Sequence, residues 1–161
     1  MIGKAMRTNA GLGIALGVAA AVVGWIGLGI WKDLTPGTDW IEIADLRIED
    51  TLPGGDPRIT YSRAIKADVY GVWTVNVFRH ADGKDRIGTI YCWGTGAAAY
   101  QAGRELPPDA THLSWLVGPN GKPCHFDNGI YRAVVTIELK PEGYPVKVVT
   151  KESNYFLVPP R

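Results

Sequence analysis

Residues 10–31 (AGLGIALGVAAAVVGWIGLGIW) are 22 consecutive positions whose only hydrogen-bonding side chains are the indoles of Trp25 and Trp31. A core helix of a soluble domain keeps a polar stripe, and this run has none. It predicts a bilayer-spanning helix, because at about 1.5 Å per residue it covers about 33 Å, against a hydrocarbon thickness of about 30 Å. Beyond it the pattern changes to a period of two, the signature of half-buried strands. A first strand is expected over Trp40 to Ile48, where Ile41 and Ile43 share one parity and Leu46 and Ile48 the other, so that a bulge or sheet switch falls near Ala44 and Asp45.

After the turn residues Pro53 to Pro57, Ile59, Tyr61, Ile65 and Val69 alternate with Thr60, Ser62, Lys66 and Asp68, and Gly71 is expected to end this second strand. Trp73, Val75 and Val77 mark a third. Asp82-Gly83 turns the chain into a fourth with Ile87, Thr89, Tyr91 and Trp93. A long loop is expected from Gly94 to Ala110. A fifth strand carries Leu113, Trp115 and Val117, a sixth runs from Tyr131 to Leu139, and a seventh covers Val146 to Val158 with a break near Ser153 and Asn154. About seven short strands and no soluble helix predict an all-β, antiparallel two-sheet sandwich preceded by one transmembrane α-helix. The expected organisation is a cytoplasmic N-terminus (residues 1–9), a signal-anchor helix (10–31), a linker (32–39) and a β-sandwich domain (40–161).

Composition narrows the function classes. At 46% hydrophobic and 20% charged residues the chain is too apolar for disorder, and a formal net charge of +1 provides no basic face for nucleic acid. Lys4 and Arg7 precede the span without an acid, whereas Lys32, Asp33 and Asp39 follow it, so the N-terminus is expected in the cytoplasm of a single-pass protein of the inner membrane, with the rest exported. Three of the 17 basic residues (Lys4, Arg7, Lys32) precede the exported part, leaving 14 against 16 acids, a net of −2 and a mixed, solvated surface. Ala19, Ala20 and Ala21 offer a cleavage site for a signal peptidase. Ten further apolar residues follow them, which favours an uncleaved anchor.

Within the anchor, Gly13, Gly17, Ala20, Gly24 and Gly27 recur at spacings of four, three, four and three, a stripe along which a second helix, including one from a second copy, can approach closely. Cys92 and Cys124 are the only cysteines and both lie on the exported side. One disulfide is expected. Closing about 30 residues is worth roughly 3 to 4 kcal/mol by chain entropy. His125 beside Cys124 adds a second ligand type for a metal, but no CxxC and no matching histidine spacing accompany it, so neither metal nor cofactor is expected.

Asp127-Asn128-Gly129-Ile130-Tyr131 resembles the D-x-G-x-Y that opens the sixth strand of immunoglobulin-like domains, where the tyrosine bonds back to upstream backbone. The resemblance implies structural roles for Asp127 and Tyr131, with Trp73 similar to the buried third-strand tryptophan; strand parity adds Trp115 to the expected core. It departs from the antibody pattern in that Ala133 stands where the second core cysteine would be. A short anchor followed by a sandwich ending in Ser153-Asn154-Tyr155-Phe156 also resembles small membrane proteins encoded by phages and prophages.

The search for chemistry yields little that is specific. Gly94-Thr95-Gly96-Ala97-Ala98-Ala99 fits G-x-G-x-x-A, yet Pro107-Pro108 cuts short the helix a dinucleotide site needs, so the stretch is expected to be a small-residue loop. With Thr95, Tyr100, Gln101 and Arg104 that loop is the expected contact surface. Ser62, Ser114 or Ser153 can be combined with His80, His112 or His125 into triads on paper, without a G-x-S-x-G elbow to support any set. Trp73, Trp93 and Trp115 share the parity of apolar neighbours and are expected in the core, not in a sugar platform. The sum is a non-catalytic interaction module on the outer (periplasmic) face, in contact with the lipid bilayer and a protein partner. The alternatives are an anchored hydrolase and an assembly subunit packing through its glycine-rich helix.

Overall fold

The computed structural model describes residues 5–80, 88–105, 112–118 and 120–160, residues 5–16 by their backbone alone. Helix α1 (Ala5–Leu34) has 30 residues and is therefore about 45 Å long. Thr35 ends it: its N–H and its hydroxyl both donate to the Trp31 carbonyl, at 3.0 and 2.9 Å, and Pro36 cannot continue the ladder. The stretch Gly17–Leu34 has a mean hydropathy of 1.3 and no buried residue, so the helix is long and apolar enough to cross a bilayer. The chain divides into two compact units, Met1–Thr35 and Pro36–Arg161.

The second unit opens with a 3-10 turn (Gly37–Asp39) and then holds seven strands among the described residues. They are β1 (Ile41–Ile48), β2 (Ile59–Ile65), β3 (Val69–His80), β4 (Thr89–Tyr100), β5 (Gly129–Lys140), β6 (Lys147–Glu152) and β7 (Phe156–Val158); a short helix α2 (Leu113–Val117) stands between β4 and β5. Strands β1 and β2 form one antiparallel sheet. The other has the order β4-β3-β5-β6, with β7 also paired to β5 beyond the break. Side chains from both sheets share one core, as in the expected two-sheet sandwich: Leu46, Ile48 and Ile59 pack with Val75, Val77 and Ala133. The bulge expected in β1 is present. Pairing jumps from Ala44↔Ser62 to Arg47↔Thr60, and Asp45 takes φ 51°, which is how Ile41, Ile43, Leu46 and Ile48 all face inward despite their change of parity.

Three expectations are corrected. The predicted fifth strand is the helix α2: Leu113, Leu116 and Val117, at spacings of three and one, are buried, while Trp115 is 38% exposed and is therefore not a core residue. In five residues the two periods barely differ, and the Asp56 carboxylate, which accepts the Ser114 N–H at 3.0 Å, holds the helical alternative. Gly71 does not end a strand. Strand β3 runs through it, because a side chain there would meet Tyr100 at 3.0 Å and Leu139 at 3.1 Å across the sheet. Finally, Gly94–Tyr100 is strand β4 and not loop, and Trp93 points outward with 39% of its surface exposed. The Asp82-Gly83 turn, Ile87 and the end of the expected loop lie outside the described residues.

Side chains stitch the sandwich along one side. On the β1 side, Asn154, in the break between β6 and β7, accepts the Ile48 N–H through Oδ1 at 2.8 Å and donates through Nδ2 to the Ile48 carbonyl at 2.9 Å. Asp50 accepts the Leu157 N–H at 2.6 Å, and Thr51 N–H donates to the Leu157 carbonyl. This seam replaces strand pairing with side chains. On the opposite side, where β2 and β4 are the outermost strands of their sheets, backbone bonds from the chain beyond β4 reach the two ends of β2: Leu113 N–H donates to the Pro57 carbonyl and Gly103 N–H to the Ile65 carbonyl.

Candidate functional site

A cavity of about 90 Å³ lies between the sheets where the two core clusters meet. Strand alternation builds it from both layers. Tyr61 and Arg63 come from β2, Trp73 from β3, and Ala98 and Tyr100 from β4, all at inward positions of their strands. Trp115 and Leu116 of α2 complete the wall. The glycines explain why a cavity forms here. A Cβ on Gly96 would sit 2.5 Å from the Trp73 ring, and one on Gly94 would sit 2.0 Å from the Leu116 carbonyl oxygen. The Gly94-Thr95-Gly96 sequence is therefore a seat for an indole and for a helix, and its likeness to a dinucleotide fingerprint is a matter of letters.

Among the described residues Arg63 is the one charged side chain in that wall. Its Nε is buried without a hydrogen-bond partner, and among the described residues no carboxylate pairs with its guanidinium. Its visible compensation is the face of Tyr100, whose centroid is 5.5 Å from Cζ. Burial pushes the Tyr100 hydroxyl up to about 12, against the opposing pull of Arg63, and raises that of Tyr61 for the same reason. Both phenols are therefore neutral donors through the physiological range. The sequence carried a sign of this site. Arg63 shares the parity of Ile59, Tyr61 and Ile65, so a charge stood on the apolar face of β2.

The remaining predicted residues are distributed as follows. Cys92 and Cys124 form a disulfide with Cα atoms 5.2 Å apart. The Tyr131 hydroxyl donates to the Asp127 carbonyl at 3.1 Å, the tyrosine ring is fully buried against Phe126 and Phe156, and burial raises its pKa. Trp73 is partly buried and packs against both core clusters. The expected contact loop is divided: Thr95 lies in β4 and donates to the Trp73 carbonyl at 2.8 Å, Tyr100 is buried in the cavity wall, and Gln101 and Arg104 are exposed in the turn that follows. In α1 nothing lies within 4 Å of the positions where Gly17, Gly24 and Gly27 would carry a Cβ, and Ala20 is exposed; Gly13 belongs to the part described by backbone alone.

One paper triad is partly assembled, with the wrong connectivity. The Ser114 hydroxyl donates to the Asp56 carboxylate, and His112 Nδ1 stands 3.8 Å from the same carboxylate, so no histidine is placed between serine and acid. The Asp56 group is a helix cap. Among the described residues no cluster of three His, Cys, Asp or Glu side chains is arranged to hold a metal.

The outward face of the larger sheet is apolar in patches. Strand register places Ile90 beside Phe78, Asn76 between Trp93 and Val134, and Val72 beside Ala97 and Glu138, with Val148 next to Glu138. Tyr70, Ile90, Trp93 and Val148 are exposed there. Arg132 and Glu152, 2.6 Å apart, are an ion pair on the same face. No protein-family model matches the chain, and no curated protein matches it.

Proposed function

We propose that the chain is a non-catalytic, single-pass interaction module, anchored by α1 in a bacterial inner membrane, with its sandwich on the outer (periplasmic) face. The observation that carries this reading is the union of an unburied apolar helix with a disulfide-closed β domain. Structural disulfides persist in oxidising compartments, and Lys4 and Arg7 without an acid on the short N-terminal side favour retention of that end in the cytoplasm.

The domain is immunoglobulin-like in this reading, supported by the sheet order β4-β3-β5-β6 and by the corner made by Tyr131 at the entry to β5. Contact with a protein partner runs through the outward face bearing Tyr70, Trp93 and Val148, since exposed apolar side chains gathered on one sheet face mark interaction surfaces. The likeness in layout to small phage-encoded membrane proteins supports a task at the cell envelope. An enzyme that is active only after export, fused behind Arg161, is expected to be active in intact cells, and Cys92 and Cys124 are expected to resist alkylation until reduced. Activity only from a fusion partner that needs the cytoplasm, together with freely alkylated thiols, overturns the reading.

A further inference from the structure

The cavity between the sheets has a composition that interior packing alone does not explain. A buried polar atom without a partner costs free energy, and a guanidinium in an apolar wall costs more unless an anion faces it. Arg63 stands half-buried in such a wall on the inward side of β2, with a buried Nε that lacks a partner among the described residues and its guanidinium against the Tyr100 face. The surroundings are otherwise suited to an apolar body: Trp73, Trp115 and Leu116 offer flat and aliphatic surface, and Ala98 leaves the room that a larger side chain would fill. The wall is reached from solvent, since Tyr61, Arg63 and Trp73 keep part of their surface exposed and Trp115 is 38% exposed.

Size limits the guest. A water-sized site takes about 10–15 Å³ of such space, so about 90 Å³ holds roughly six to nine heavy atoms. We propose that this cavity binds a small carboxylate with an apolar body of that size, a short-chain or aromatic acid whose carboxylate pairs with the Arg63 guanidinium while its hydrocarbon lies between Trp73 and Trp115. A carboxylate matches the arginine fork in charge and in geometry, and the neutral phenols of Tyr61 and Tyr100 add donors to the same wall. The inference concerns the sandwich alone and stands whichever side of a membrane it occupies.

The test is ligand-observed NMR and equilibrium dialysis of the full chain in detergent micelles, with hexanoate and benzoate as probes and hexan-1-ol, benzyl alcohol and inorganic phosphate as comparisons. Micelles without protein subtract partition into detergent. Hexanoate or benzoate is expected to bind at submillimolar concentration, the matching alcohol at least tenfold more weakly, and phosphate not to compete. Arg63→Gln is expected to weaken the acids at least tenfold and to leave the alcohols unchanged. Ala98→Leu, which fills the cavity, is expected to remove both. Should Arg63→Gln fail to fold, Arg63→Lys, which keeps the charge and loses the fork, is expected to bind the acids at least threefold more weakly. Equal affinity for acid and alcohol, competition by phosphate alone, acid binding undiminished in both Arg63 variants, or no acid binding at millimolar concentration overturns the proposal.

Discussion

Replacing Gly94 by alanine sets local preference against packing. Alanine in a strand interior is favoured over glycine by about 0.5–1 kcal/mol, because glycine loses more conformational freedom on folding. Against that stands the seat of α2: the new Cβ would be 2.0 Å from the Leu116 carbonyl oxygen, 2.6 Å from Val117 Cα and 2.9 Å from the Leu116 carbonyl carbon. All three are backbone atoms, so no side-chain rotation relieves the overlap and α2 must move by more than 1 Å to regain ordinary van der Waals contact. Overpacking of this kind costs about 1–3 kcal/mol. The upper end applies here, because Leu113, Leu116 and Val117 are buried and are displaced together. The net expectation is a loss of about 2 kcal/mol, with the earliest loss of protection at the amides of α2 and the central part of β4. Urea unfolding of the detergent-solubilised chain, followed by circular dichroism in the β region, gives the first quantity, and hydrogen exchange gives the second. A Gly94→Ala chain as stable as the parent, or more stable, refutes the account of why glycine stands there and with it the reason given for the cavity's shape.

Three further outcomes follow from the same reasoning. Reducing the Cys92–Cys124 bond, which joins residues 32 apart, lowers stability by about 4 kcal/mol through released chain entropy, read as a fall in the urea midpoint on adding reductant; no shift would mean the bridge is not formed in solution. Asn154→Ala strands the N–H and the carbonyl of Ile48 at the closed seam and is expected to cost about 2–3 kcal/mol, measurable by the same unfolding curve. Tyr100 titrates at about 12 in the folded chain and near 10 when unfolded, so its contribution is complete below about pH 10 and is lost as pH rises through about 12. The loss is up to about 3 kcal/mol, and Tyr100→Phe should flatten that part of the stability profile.

Several features were legible before any coordinate, because each depends on residues close in sequence or on a rule with few exceptions. An uninterrupted apolar run has no way to be amphipathic, so α1 follows from residues 10–31 alone. Alternation fixes which face of a strand is buried, and the change of parity in β1 places the bulge at Asp45. Two cysteines allow one pairing. The corner at Tyr131 needs only its bond to Asp127, four residues upstream. The outcome at 94–100 and 113–117 depended instead on contacts distant in sequence. Small residues in GTGAAA resemble a loop until the Trp73 ring and the α2 backbone are set against Gly96 and Gly94, and Leu113 to Val117 fits either period until Asp56 and that seat select the helix. The cavity between the sheets, and Arg63 in its wall, likewise exist only when two sheets are stacked. A parity can place a charge on an inward face, but the walls around it belong to the assembled sandwich.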